Sequence, residues 1–276
     1  MNSSIKETSR GRVLWLSDEH AEVGLALDFG LRIIHVSCPG MENLFYEQPA
    51  DLSDGVTTEE GWKLYGGHRL WMAPESKLSN CPDNDPVTYT LEGNSVLAEQ
   101  QVEPWLGIRK KLRITFTGTG VQVDNIIENA SHKEIVGAAW GVNTLAGLGK
   151  AYVEFPNYGV GDCRPHRVVS LWSTTDLHDE RIRFSADSLQ VTHAPSEKYF
   201  KLGLYSHTGK ATYENKGQRL TLTFAAPPMS QLPDLGCNFE LYMCRQFMEL
   251  ESLGIDHTLQ PGQSMTHTEH WALEKL

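Results

Sequence analysis

The chain has 276 residues and a formal net charge of -11; a fold of this length buries roughly three quarters of the surface its unfolded chain exposes, enough for a core without covalent staples. The acidic balance argues against nucleic acid and anionic membrane surfaces as partners, since both demand clustered Lys and Arg. Five cysteines, Cys38, Cys81, Cys163, Cys237 and Cys244, are odd in number and lack CxxC spacing, which argues against a zinc site or a disulfide framework and for reduced thiols in a cytoplasm.

The opening MNSSIKETSR is polar with no apolar segment behind it. Residues 1–10 are therefore expected to be disordered and to carry no secretory leader. No apolar run approaches the ~18 residues of a membrane span. From residue 11 to 276 the pattern is that of strands: RVLWL, EVGLALDFG, LRIIHVSC, VTYTLEG, SVLAEQQV, IRKKLRITFTG, VQVDNIIEN, RIRFS, SLQVTH, RLTLTFAA, FELYM and HTEHWAL, bounded by Gly, Asn, Pro or Asp. Leu112, Ile114 and Phe116 alternate with Arg113, Thr115 and Thr117, and Leu220, Leu222 and Phe224 repeat that period of two, the mark of half-buried antiparallel strands. HAPSEKYFKLG alone suggests a turn or two of helix. The expectation is one all-β domain, a large antiparallel β-sandwich.

Between the early strands lies YGGHRLWMAPE, Tyr65 to Glu75. In a strand His68 and Leu70 face one way and Arg69 and Trp71 the other. A bulge at Gly66-Gly67 would re-aim the chain and let both His68 and Arg69 reach one cleft. Arg69 offers a planar fork for hydroxyls, carboxylate or phosphate, and His68 titrates near neutrality.

Near the end, GCNFELYMCRQFMELESLG reads as a hairpin. Asn238, Glu240 and Tyr242 share one face of its first strand, and Glu249 and Glu251 share the polar face of the second. A tight turn at Arg245-Gln246 sets Cys244 opposite Phe247 and Glu240 opposite Glu251. Like charges in that position destabilise a sheet and push one carboxyl upward, as an acid or base needs; the alternative is a solvated acidic face.

The segment that follows, LESLGIDHTLQPGQSMTHTEHWAL (Leu250 to Leu273), resembles the C-terminal signature of the aldose 1-epimerase, or galactose mutarotase, superfamily. GLRIIHVSCPGMENLFYE is similar to the superfamily's early strand pair. GGHRLW stands where its hexose-phosphate relatives carry a Gly-Gly segment and its mutarotases a substrate-binding arginine. GGHRLWMAPE, PDN, WSTTDLHDER, KLG and GCNFELY together resemble a bacterial branch of the superfamily without assigned function. The resemblance implies a galactose mutarotase-like supersandwich and a catalytic base at Glu251. The family's general acid is a mid-chain histidine, and Trp140 falls at that place in ENASHKEIVGAAWGVNTL; His132 belongs to the preceding turn.

The reading that follows is a cofactor-independent aldose mutarotase or epimerase working by proton transfer, with Glu251 as base and His68 as acid. Arg69, Trp71, Trp140, Trp172, Lys201, Asn238, Glu240 and Glu249 are the expected sugar-binding residues. No metal is expected, because His267 and His270 of HTEH fall on opposite faces of a strand. No GxGxxG or GxSxG motif occurs. A non-catalytic sugar-binding protein on the same fold is the second reading, and a small-molecule sugar is the partner in both.

Overall fold

The computed structural model describes residues 1–49, 61–156, 165 and 167–276. The regular structure of its described residues is strand, apart from two short 3-10 turns at Lys77–Asn80 and Met229–Gln231. Numbered in chain order, the strands make two antiparallel sheets. The first has eleven strands. From one edge it runs β1 (Asn2–Thr8), β2 (Gly11–Ser17), β3 (Glu22–Ala26), β4 (Arg32–Ser37), β5 (Gly67–Ala73), β10 (Ile135–Ala146), β19 (Phe247–Leu253), β18 (Phe239–Met243), β15 (Phe200–Leu204) and β12 (Val169–Leu171). Strand β20 (His257–Leu259) pairs with the start of β10. The second has ten: β13 (Ile182–Phe184), β14 (Ser188–Thr192), β11 (Lys150–Glu154), β16 (Lys210–Asn215), β17 (Gln218–Phe224), β21 (Ser264–Lys275), β9 (Val121–Asn129), β8 (Ile108–Phe116), β7 (Ser95–Glu99) and β6 (Thr88–Glu92).

The period of two decides what lies between the sheets. Leu112, Ile114, Leu220 and Leu222 from the second sheet join Leu70, Leu202, Leu241 and Leu250 from the first in one buried apolar cluster. Each such side chain contributes ~1.5–3 kcal/mol when fully buried. In the first sheet the alternate residues (Arg69, Trp140, Lys201, Glu251) are left on the face turned away from this core.

Two sequence expectations are corrected. Residues 1–10 contain an ordered strand: β1 pairs along its whole length with β2. The Thr8 hydroxyl closes the turn on Gly11 O at 2.7 Å, and Lys6 lies 4.1 Å above the Trp15 ring. A polar, charged strand is well suited to a sheet edge, where side chains stay in water while the backbone ladder forms. The second correction falls on HAPSEKYFKLG, which forms no helix; Phe200, Leu202 and Leu204 are buried by strand alternation in β15. Cys38, Cys237 and Cys244 are buried free thiols, and Cys163 lies outside the described residues. Among the described residues no helix is long and apolar enough to cross a membrane.

Candidate active site

Gly66 and Gly67 have φ of +85° and +76°. A Cβ on Gly66 would lie 2.1 Å from Tyr46 O, and one on Gly67 2.3 Å from Ile33 O. The pair is there because two neighbouring backbones approach too closely for any side chain. It does not bulge the strand: β5 and β10 stay in register from Thr144 opposite Gly67 to Ala138 opposite Ala73. Ordinary alternation therefore holds, and His68 and Arg69 go to opposite faces.

His68 points between the sheets and is fully buried. Its Nδ1 donates to Asn143 Oδ1 at 2.9 Å, and its Nε2 lies 2.9 Å from Asn125 Oδ1. Asn143 Nδ2 donates onward to Glu269 at 3.1 and 3.2 Å, and Trp271 Nε1 donates to Glu269 Oε2 at 2.7 Å. Ser252 also donates to this carboxylate and receives Nε2–H of His267, 2.6 Å away, whose ring burial pushes down to about 4. This network satisfies polar groups inside the sandwich, and the expected role of His68 as an acid in the cleft is not supported by its placement. His68→Leu is expected to cost roughly 2–4 kcal/mol in urea unfolding, because two buried amides, those of Asn143 and Asn125, lose a partner. A variant as stable as the natural chain would refute that structural role.

The outer face of the first sheet carries a cavity of about 630 Å³. One wall is aromatic. Trp71 stands edge-on to Trp62 and to Trp140, with centroids 5.7 and 5.3 Å apart, and Tyr199 stacks near Tyr242 at 6.4 Å. The Arg69 guanidinium lies 4.3 Å from the Trp62 ring and 4.4 Å from that of Trp71, and its Nη2 donates to Asp83 Oδ2 at 2.9 Å. Arg32 Nη2 donates to the other oxygen of Asp83 at 3.1 Å. Burial works against the Asp83 carboxylate, but Arg69 and Arg32 hold it below its usual range. Arg69 is thus a cation fixed in position at the cavity wall.

The opposite wall holds the acids. The hairpin turns at Arg245-Gln246, with Cys244 N donating to Phe247 O at 3.1 Å, and Glu240 pairs with Glu251 and Tyr242 with Glu249. The like-charged pair is bridged. Lys201 Nζ donates to Glu240 Oε2 at 2.8 Å and to Glu251 Oε2 at 3.3 Å, and sits 4.7 Å from the Trp140 ring and 5.2 Å from that of Trp172. Burial alone would lower the Lys201 ammonium, yet Glu251 and Glu240 hold it above its usual value. Burial raises Glu251 while Lys201 opposes the shift; burial and then Glu251 raise Glu240 well above the carboxylate range. Glu249 accepts the Thr144 hydroxyl at 2.8 Å, and burial followed by the charge of Glu251 pushes it up to about 8.

Of the residues singled out in the sequence, Glu251, Glu249, Lys201, Arg69, Trp71 and Trp140 line this one cavity, and Glu240 joins them through Lys201. Trp172 is half-buried and backs Lys201. Asn238 lies elsewhere: its amide donates to Ser206 O and Ala225 O at 3.0 and 3.1 Å and accepts Ser206 N at 2.7 Å, so it ties loops together beneath the sheet end. Tyr46, Trp62, Glu75, Tyr199 and Tyr242 line the cavity without having been expected there. Tyr242 could have been found from the hairpin face it shares with Glu240. His132 is exposed in its turn, and His267 and His270 do face opposite ways. Among the described residues no group of three or more His, Cys, Asp or Glu is placed to hold a metal ion.

No family model and no curated protein matches the chain. Solved structures do. A galactose mutarotase-like protein from Lactobacillus casei superposes with a TM-score of 0.62 at 10% identity, covering 95% of this chain and 100% of that one. One from Clostridium acetobutylicum gives 0.57 at 10% identity, covering 100% and 98%. A TPR-domain containing protein from Parabacteroides distasonis gives 0.62 at 14% identity over 95% of this chain, which spans 47% of that longer protein. The likeness shows the fold: two large antiparallel sheets arranged as a galactose mutarotase-like β-sandwich.

Proposed function

We propose that this chain is a carbohydrate-active enzyme of the aldose mutarotase type, needing no cofactor, in which Glu251 takes the proton of the anomeric hydroxyl. The observation that carries the reading is the cavity with Glu251 in its wall. The carboxylate is 1% exposed, beside Lys201, facing aromatic rings on the outer face of a mutarotase-like sandwich. Tryptophan faces suit the apolar faces of a sugar ring, and fixed charges suit its hydroxyls. Ring opening at a hemiacetal requires only proton transfer at two oxygens and a held geometry, within the means of such a site.

A second reading, a sugar-binding protein without turnover, is favoured by one observation: none of the described residues lining the cavity is a histidine. Anomer exchange followed by NMR across a panel of free, amino and acidic aldoses separates the two. Exchange faster than in buffer supports the enzyme. Saturable binding with exchange no faster than in buffer sinks it and leaves the binder.

A further inference from the structure

With His68 inside the sandwich, a mutarotase-type reaction lacks its second proton-transfer group. Two carboxylates face the cavity from alternate positions of β19, Glu249 and Glu251, about 7 Å apart at Cα by strand geometry. The hydroxyl oxygen and ring oxygen of a hemiacetal share one carbon, so their acid and base must reach one centre from two directions, each within ~2.6–3.2 Å of its oxygen. Neighbouring residues on one face of a strand can do this.

Their surroundings differ. Glu251 meets the Lys201 ammonium at 3.3 Å, which favours its ionised form. Among the described residues, the hydrogen bond Glu249 accepts comes from a neutral hydroxyl, that of Thr144 at 2.8 Å. Its other titratable neighbours are Glu251 on its own strand, Tyr242 and Cys244 from the facing arm of the hairpin, Lys201 on β15 and Arg69 on β5. Arg69 is engaged with Asp83, and Lys201 with Glu240 and Glu251.

We propose that Glu249 is the general acid of this site, delivering its proton to the ring oxygen as Glu251 removes the proton of the anomeric hydroxyl; the assignment rests on the mutarotase-type reading above. The step balances. The bond from the anomeric carbon to the ring oxygen breaks, its electron pair takes the Glu249 proton, and the hydroxyl becomes a carbonyl as Glu251 accepts its proton. After rotation about the bond to the next carbon, the ring oxygen attacks the other face of the carbonyl. Its proton returns to Glu249, and Glu251 gives its proton to the new hydroxyl, so both groups are restored. At about 8, Glu249 is mostly protonated at neutral pH and can only donate, while Lys201 favours an ionised Glu251. Burial raises both carboxyls, and the ammonium in contact with Glu251 opposes the rise there; a difference of surroundings of this kind divides acid from base.

The test is the pH dependence of kcat/KM for anomer exchange in the natural chain, Glu249→Gln and Glu249→Asp. The natural chain should lose activity above about pH 8 as Glu249 gives up its proton. That limb cannot belong to Tyr242 or Lys201, both held above their usual values. Gln copies the shape and charge of the neutral acid and keeps an acceptor for Thr144, so Glu249→Gln should fold with an unchanged Tm at pH 7. Its kcat should fall ~100-fold or more, and the alkaline limb should vanish. Glu249→Asp should keep the limb at reduced rate. A purely structural role would lower Tm and leave the limb in place. An active natural chain with a Glu249→Gln variant of similar rate, or one retaining the limb, overturns the assignment alone. A natural chain no faster than buffer overturns it together with the mutarotase reading.

Discussion

Glu251→Gln is expected to leave the sandwich folded and to lower anomer exchange by ~100-fold to 10,000-fold, the usual loss when a positioned base is removed. Folding should survive for a specific reason. The substitution removes one carboxylate from the pair that Lys201 bridges, and Lys201 keeps Glu240 at 2.8 Å, so no buried cation is left alone. The loss should fall on kcat with little change in KM, because the aromatic wall and Arg69 are untouched. A second effect follows at Glu249, whose upward displacement comes first from burial and next from Glu251. With that charge gone, the alkaline limb of any residual activity should move to lower pH. Thermal unfolding, together with NMR exchange rates across pH, checks all three expectations. An active natural chain whose Glu251→Gln variant is equally fast would remove Glu251 from the mechanism.

Much of the fold and of the site is legible in the sequence, and what is not has physical causes. Alternation placed Leu112, Ile114 and Phe116 in the core, and hairpin geometry set Glu240 opposite Glu251, because strand period and a two-residue turn are local properties. The same local rule already separated His68 from Arg69. The expectation of a bulge at Gly66-Gly67 overrode it, whereas those glycines answer a close approach of Tyr46 and Ile33 that no local pattern reveals. Asn238 shares the hairpin face in sequence but lies one residue before β18, where the chain is outside the sheet. Lys201 stands in a short motif, KLG, but its bridge between two carboxylates depends on β15 pairing with β18, a contact between segments far apart in sequence. Trp62 and Tyr199 sit outside strands, where no periodicity points to a cavity.

Lys201→Met is expected to be the most destabilising single change at the site, on the order of 3–5 kcal/mol at pH 8, the cost of leaving buried charges without their partner. Met preserves much of the stem that packs near Trp140 and Trp172, so the loss isolates the ammonium. Glu240 and Glu251 would then face each other across the hairpin, each 1% exposed, with no cation between them. The pH dependence has a definite sign. Both carboxyls are already raised above their unfolded value of ~4.3, so the folded state holds protons that the unfolded state releases, and stability declines as pH rises through the raised values. Removing Lys201 raises them further. The variant should therefore lie close to the natural chain near pH 5 and fall away from it towards pH 8. The triple change K201M/E240Q/E251Q should recover most of the loss at pH 8, since neither member of the facing pair then carries a charge that needs the ammonium. Urea unfolding of the three proteins at both pH values decides the matter. An equal deficit at pH 5 and pH 8, unrelieved in the triple variant, would mean that packing of the lysine stem holds this corner of the sheet and that the ion network does not.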